Sequence, residues 1–156
     1  MQGVASWNEG SWERGRQLLR ETPTSPTQKA GRWVLGTFMT GAGIGHLSFA
    51  RRAFQAQVPD WLPMDKDTVV LLSGVVEIAL GLSLVLNKRH KVPMGLGLAA
   101  FLAAVFPGNL HQYDKRISAF GLNTDTRRFV RLFFQPVLMG WAMWSTGALR
   151  ALRRGR

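Results

Sequence analysis

The chain has 156 residues, no cysteine, and 20 Lys and Arg against 9 Asp and Glu, a formal charge of +11. That length suits one domain, and the missing thiols exclude disulfides, thiolate metal sites, cysteine redox chemistry and a cysteine nucleophile. Charged residues are only 19% of the chain and hydrophobic ones 46%, and the apolar residues gather in blocks flanked by short basic segments, an order that points to a membrane and not to nucleic acid.

Residues 1–30 precede the first apolar block and contain no apolar core of the kind a secretory signal needs. Ser6-Trp7-Asn8-Glu9 has the spacing of a capping box, and Trp7, Leu18 and Leu19 suit a short amphipathic helix at the headgroups. The alternative is a cytoplasmic tail, with Thr22-Pro23-Thr24-Ser25-Pro26 as its linker.

Four blocks follow, over residues 31–50, 68–86, 92–110 and 129–149. About 20 mainly apolar residues span a hydrocarbon core as a helix. None of the blocks alternates with period two, so lipid-facing barrel strands are excluded. The expected fold is therefore all-α, a four-helix transmembrane bundle at 31–149 with short loops. A basic tail at 150–156 lies against anionic lipid. If both termini share a side, that side holds twelve Lys and Arg and the other eight. The bias sets both termini in the cytoplasm. Trp33, Trp61, Tyr113, Trp141 and Trp144 partly match an aromatic belt.

In the first block, Gly41-Ala42-Gly43-Ile44-Gly45 has a dinucleotide-loop flavour, but no strand precedes it and His46 stands where the last glycine belongs. Close helix packing through Gly41 and Gly45 is the expected role. Ser73, Glu77 and Gly81 share a face of the second block, and Gly95 and Gly97 thin the third. There is no nucleophile elbow, phosphate loop or zinc motif, so no catalytic residue is assigned. The spacing of His46, His111 and Glu77 does not call for a metal.

Ionisable groups inside a bilayer are costly unless paired or watered, so their positions inform. At about 1.5 Å per residue, His46 lies roughly 6 Å and Glu77 roughly 13 Å from the outer ends of their blocks. Asn109 ends the third block, while Arg131 and Gln135 share a face in the outer half of the fourth. We expect His46, Glu77, Asn109, Arg131 and Gln135 to form one inward-facing polar cluster. It would lie under the loop Val58-Pro59-Asp60-Trp61-Leu62-Pro63, with Trp61, His111 and Tyr113 as rim and Arg131 reaching toward Glu77. Two readings stand: the cluster only fixes helix register, or it binds a polar headgroup, a quinone or a proton.

Five short segments in order then carry a family resemblance. They are Gly45-His46 with Phe49; the 58–63 loop; Ser73-Gly74-Val75-Val76-Glu77-Ile78-Ala79-Leu80-Gly81; Phe106-Pro107-Gly108-Asn109; and Arg131-Leu132-Phe133-Phe134-Gln135-Pro136-Val137-Leu138. Over residues 36 to about 145 the chain resembles the DoxX-like family of small four-helix membrane proteins. Gly108 departs from an expected alanine, and Leu47 from an aromatic. The resemblance implies a multi-pass protein of the bacterial cytoplasmic membrane, with quinone as a candidate cofactor and a membrane redox enzyme as a candidate partner. The leading expectation is a non-catalytic accessory subunit or a binder of a lipid-soluble molecule. A component of a quinone-linked oxidoreductase is the alternative. A proton-coupled transporter using Glu77, which would need a homo-oligomer, is the third.

Overall fold

Ser25 starts the first helix. Its side chain accepts from the Gln28 amide while Gln28 Oε1 accepts from the Ser25 amide, and Pro26 fills the first helical position, where a missing N–H costs nothing. Helix α1 therefore runs Pro26–Leu47, beginning five residues before the first apolar block and ending three residues short of its end. The computed structural model describes residues 22–154. The tail-or-amphipathic reading of the N-terminus falls mostly on residues 1–21, outside the described residues, as do the last two residues.

A short helix α2, Arg51–Gln55, follows. Helix α3 covers Lys66–Leu86 and is capped by Asp65 on the Thr68 amide. Helix α4 covers Lys91–Asp114, and α5 covers Asp125–Thr146 behind the Thr124 cap. Gly147, at φ +79°, ends α5 in a left-handed turn that glycine adopts without a Cβ penalty. A final helix α6, Ala148–Arg154, leaves from it. The described residues are all-helical, with no strand.

The long helices associate as two antiparallel pairs, α1 with α3 and α4 with α5, joined by α1 on α5 and α3 on α4. The α1–α3 seam is built on glycine. A Cβ at Gly36 would lie 2.7 Å from the Gly81 carbonyl oxygen, and one at Gly43 would lie 2.6 Å from that of Gly74. Backbones meet at these two places, which demands residues without side chains. This corrects the expected packing face, because a Cβ at Gly41 meets open space and one at Gly45 makes only ordinary contact with Phe49 and Ala50. In the other pair a Cβ at Gly95 would strike Thr146 Oγ1. Gly97 makes no such approach, its Cβ lying 3.7 Å from Leu80.

Leu35, Met39, Leu84, Leu98, Leu102 and Ala142 form the apolar core. Elsewhere the usual distribution is reversed. Gln28, Arg32, His46, Glu77, Asn109, Gln112, Arg128 and Gln135 are buried, while Trp33, Val34, Phe38, Leu72, Val75, Phe133, Phe134 and Val137 are each more than half exposed. The inner hydroxyls bond within their own helices, Thr40 to the Gly36 carbonyl and Thr146 to that of Ala142.

Helices α3 and α4 are long and apolar enough to cross a membrane. Helix α1, with Gln28, Lys29, Arg32 and many glycines and threonines, and α5, opening on Asp125, Arg127, Arg128 and Arg131, are equally long but less apolar. The two described chain ends lie together, since a Cβ on Gly147 would touch Thr22 and Gln28 Nε2 donates to the Trp144 carbonyl.

Candidate functional site

At the opposite end from the termini, the four long helices and the 57–62 segment enclose a cavity of about 430 Å³. His46 from α1, Glu77 from α3, Asn109 from α4, and Arg131 and Gln135 from α5 all line it. His46 and Glu77 are each 8% exposed, Asn109 4% and Gln135 3%. The rest of the wall is apolar and aromatic, including Phe38, Met39, Phe54, Val105, Phe134 and Leu138.

His46 Nδ1 lies 2.9 Å from the Ala42 carbonyl oxygen and 3.0 Å from Glu77 Oε2. A carbonyl only accepts, so Nδ1 carries the hydrogen. That hydrogen serves Ala42, and Glu77 Oε2 remains without a hydrogen bond despite its proximity. The imidazole stacks on Phe54, ring centroids 3.4 Å apart, and Phe54 leans on Phe120 at 4.6 Å. Phe120 holds φ +54°, unusual for a bulky residue, and its ring backs the stack from there.

On the other wall Gln135 is bonded at both ends of its amide. Its Nε2 donates to the Leu102 carbonyl at 2.9 Å, and its Oε1 accepts from Asn109 Nδ2 at 2.9 Å. Pro107 and Pro136 sit inside α4 and α5 beside this relay, each removing one helical N–H. Asn109 Oδ1 and Arg131 Nη1 are buried with no hydrogen-bond partner.

The basic partner of Glu77 is thus His46. Arg131 lines the same cavity but does not come within ion-pair distance of the acid. Of the three rim residues, only Trp61 lines the cavity, and it is 70% exposed. His111 lies outside it, its Nε2 3.6 Å from Asp60 Oδ2, and Tyr113 faces Phe129 at 6.0 Å. Sequence reasoning missed Phe54 and Gln57, because α2 reads as loop. It also missed Arg128, buried and bonded to the Ile117 carbonyl, Ser118 Oγ and Asp125. Among the described residues no three His, Asp or Glu side chains are grouped to hold a metal.

Among the contacts that fasten the 57–62 segment over the cavity, two lend themselves to test. A Cβ at Gly108 would collide with the Gln57 carbonyl oxygen, so glycine, where the resemblance leads one to expect alanine, lets this strap sit on α4. Gly108→Ala is expected to cost about 1–3 kcal/mol, read as a lower thermal midpoint in detergent, with faster hydrogen exchange in residues 56–62.

The second fastening is ionic. Lys66 Nζ lies 2.6 Å from Asp60 Oδ1 and holds that carboxyl below the usual aspartate value of 3.8. A carboxylate depressed in the folded state stabilises in full above the unfolded value and stops doing so as pH falls through the folded one. Hydrogen exchange of residues 56–64, corrected for its intrinsic pH dependence, should therefore rise below pH 3.8. Asp60→Asn should remove that pH step. An unchanged step in the variant would show that another group holds the strap.

A family model described as Domain of unknown function (DUF8561) matches residues 35–146, which is most of the chain. The chain belongs to the DUF8561 family. The span that matches DUF8561 opens inside α1 and closes on the last residue of α5, so it contains the whole cavity and all five polar residues. No curated protein and no solved structure matches the chain.

Proposed function

We propose that the chain is a multi-pass membrane protein, all four long helices crossing the bilayer, that binds a lipid-soluble molecule in the cavity beneath the 57–62 strap. The observation that carries this reading is the reversed distribution of side chains. Large apolar residues are exposed on α1 and α5 as well as on α3, and the polar groups of every long helix turn inward. In water that arrangement wastes apolar burial; in hydrocarbon it is the favourable one. The cavity joins an apolar, aromatic body to a small polar end, the composition of a site for an amphiphile with a polar head.

The DoxX-like resemblance, with four of its segments on the long helices and one on the strap, supports a bacterial cytoplasmic-membrane setting. It adds quinone as a candidate ligand and a membrane redox enzyme, or a second copy of the chain, as a candidate partner. The paired chain ends fit an even number of crossings, with both termini in the cytoplasm by the Lys and Arg bias. A second reading, proton coupling through Glu77, draws on the His46–Glu77 pair at 3.0 Å.

Native mass spectrometry of the protein released directly from its own membranes tests the reading. The expected result is detergent-dependent extraction, resistance to an alkaline carbonate wash, and a bound small amphiphile whose signal falls in Arg131→Gln. Release by carbonate alone would overturn the membrane assignment. A ligand signal unchanged in Arg131→Gln would move the site elsewhere.

A further inference from the structure

The polar end of the cavity has a defined donor and acceptor inventory, because two backbone carbonyls fix it. The Leu102 carbonyl can only accept, so Gln135 turns Nε2 toward it and Oε1 toward Asn109. Asn109 must then offer Nδ2 to Gln135, and its oxygen is the atom left over. On the facing wall the Ala42 carbonyl requires the hydrogen of His46 to be on Nδ1. As a carboxylate Glu77 is acceptor-only, and its Oε2 lies 3.0 Å from that N–H. Glu77 Oε2 and Asn109 Oδ1 thus have no hydrogen-bond partner, and Arg131 Nη1, whose N–H groups can only donate, has none either.

From this inventory, and resting on the reading of the cavity as an amphiphile site, we propose that the ligand head is a hydroxyl-bearing ring of the phenol class, selected against rings that carry carbonyl oxygens alone. A hydroxyl donates to Glu77 or Asn109 and accepts from Arg131 through the same oxygen. A carbonyl head answers Arg131 only and leaves both protein oxygens unpaired. Leaving one buried acceptor unsatisfied is worth about tenfold in affinity. The ring preference comes from the wall, where Phe54 already stacks on His46 and Phe38, Phe134 and Trp61 also present aromatic surface. Val105, Leu138 and Met39 offer apolar contact to an alkyl tail.

The test is calorimetric titration of the full chain in lipid nanodiscs with four probes of one tail length, subtracting partition into empty nanodiscs. The probes are 4-octylphenol, octylbenzene, octyl-1,4-benzoquinone and the corresponding octylbenzoquinol under argon. The phenol and the quinol are expected to bind at least about tenfold tighter than the octylbenzene and the quinone. Glu77→Gln, which offers an amide N–H in place of one acceptor, should narrow that ratio. Equal binding of all four probes, or tighter binding of the quinone, would overturn the hydroxyl preference while leaving the cavity a ligand site. Binding of no probe above the empty-disc blank would overturn the site as well. The comparison among probes needs only the unmodified chain, so it stands even if the variant fails to fold.

Discussion

Gly43→Val is expected to separate α1 from α3 and to destabilise the protein by about 3 kcal/mol or more, at the top of the range for overpacked interiors. The new Cβ would lie 2.6 Å from a backbone oxygen, that of Gly74, and 2.8 Å from Ile78 Cγ1. A flexible side chain could yield; a helical carbonyl moves only with its helix. Gly41→Val, two residues away on the exposed side with nothing within 4 Å, should leave the thermal midpoint unchanged within error. The pair of variants separates a steric effect from the general helix preference for residues other than glycine. Equal stability of Gly43→Val and wild type would mean that the helices do not meet along these glycines.

The second large effect concerns the buried relay. In Gln135→Leu, Asn109 Nδ2 loses its acceptor inside the protein, at a cost of about 1–3 kcal/mol. Water cannot easily reach it, since Asn109 is only 4% exposed. Adding Asn109→Leu removes the stranded donor, so the double variant should be more stable than the Gln135→Leu single variant. Fluorescence-monitored unfolding of the three proteins in one mild detergent reads this directly. A double variant less stable than both single ones would show that bulk, not hydrogen bonding, governs the position.

The helical class and the approximate places of the four long elements follow from apolar block length, a signal that local chemistry cannot hide. Their ends follow from other chemistry. Ser25-Pro26 with Gln28 is a helix start, yet two prolines and three hydroxyl residues nearby read equally well as a linker, and only the burial of Gln28 against Trp144 decides it. The five polar residues could be singled out because each interrupts a mainly apolar block. Which pairs they form was not legible. Arg131 and Glu77 attract on charge, but the acid sits on the α1–α3 seam, where Gly74 and Gly81 bring α1 close and His46 arrives first. The choice among Gly36, Gly41, Gly43 and Gly45 depends on how α1 is rotated, and a helix with glycine on several faces does not declare its rotation. Phe54 was invisible for a different reason, since a helix of five residues has too little pattern to betray itself.

The seam between α1 and α3 has one further consequence. Its glycine contacts recur at an interval of seven residues on both helices, Gly36 to Gly43 and Gly74 to Gly81. If one helix slipped by seven, Gly43 would meet Gly81, so glycines alone resemble a vernier with two readings. Such a slip would carry His46 toward Leu84, which is wholly buried, and leave Glu77 without its imidazole. The imidazole and the carboxylate therefore act as the key that admits one alignment, and misassembled chains are penalised at the same two side chains that furnish the cavity.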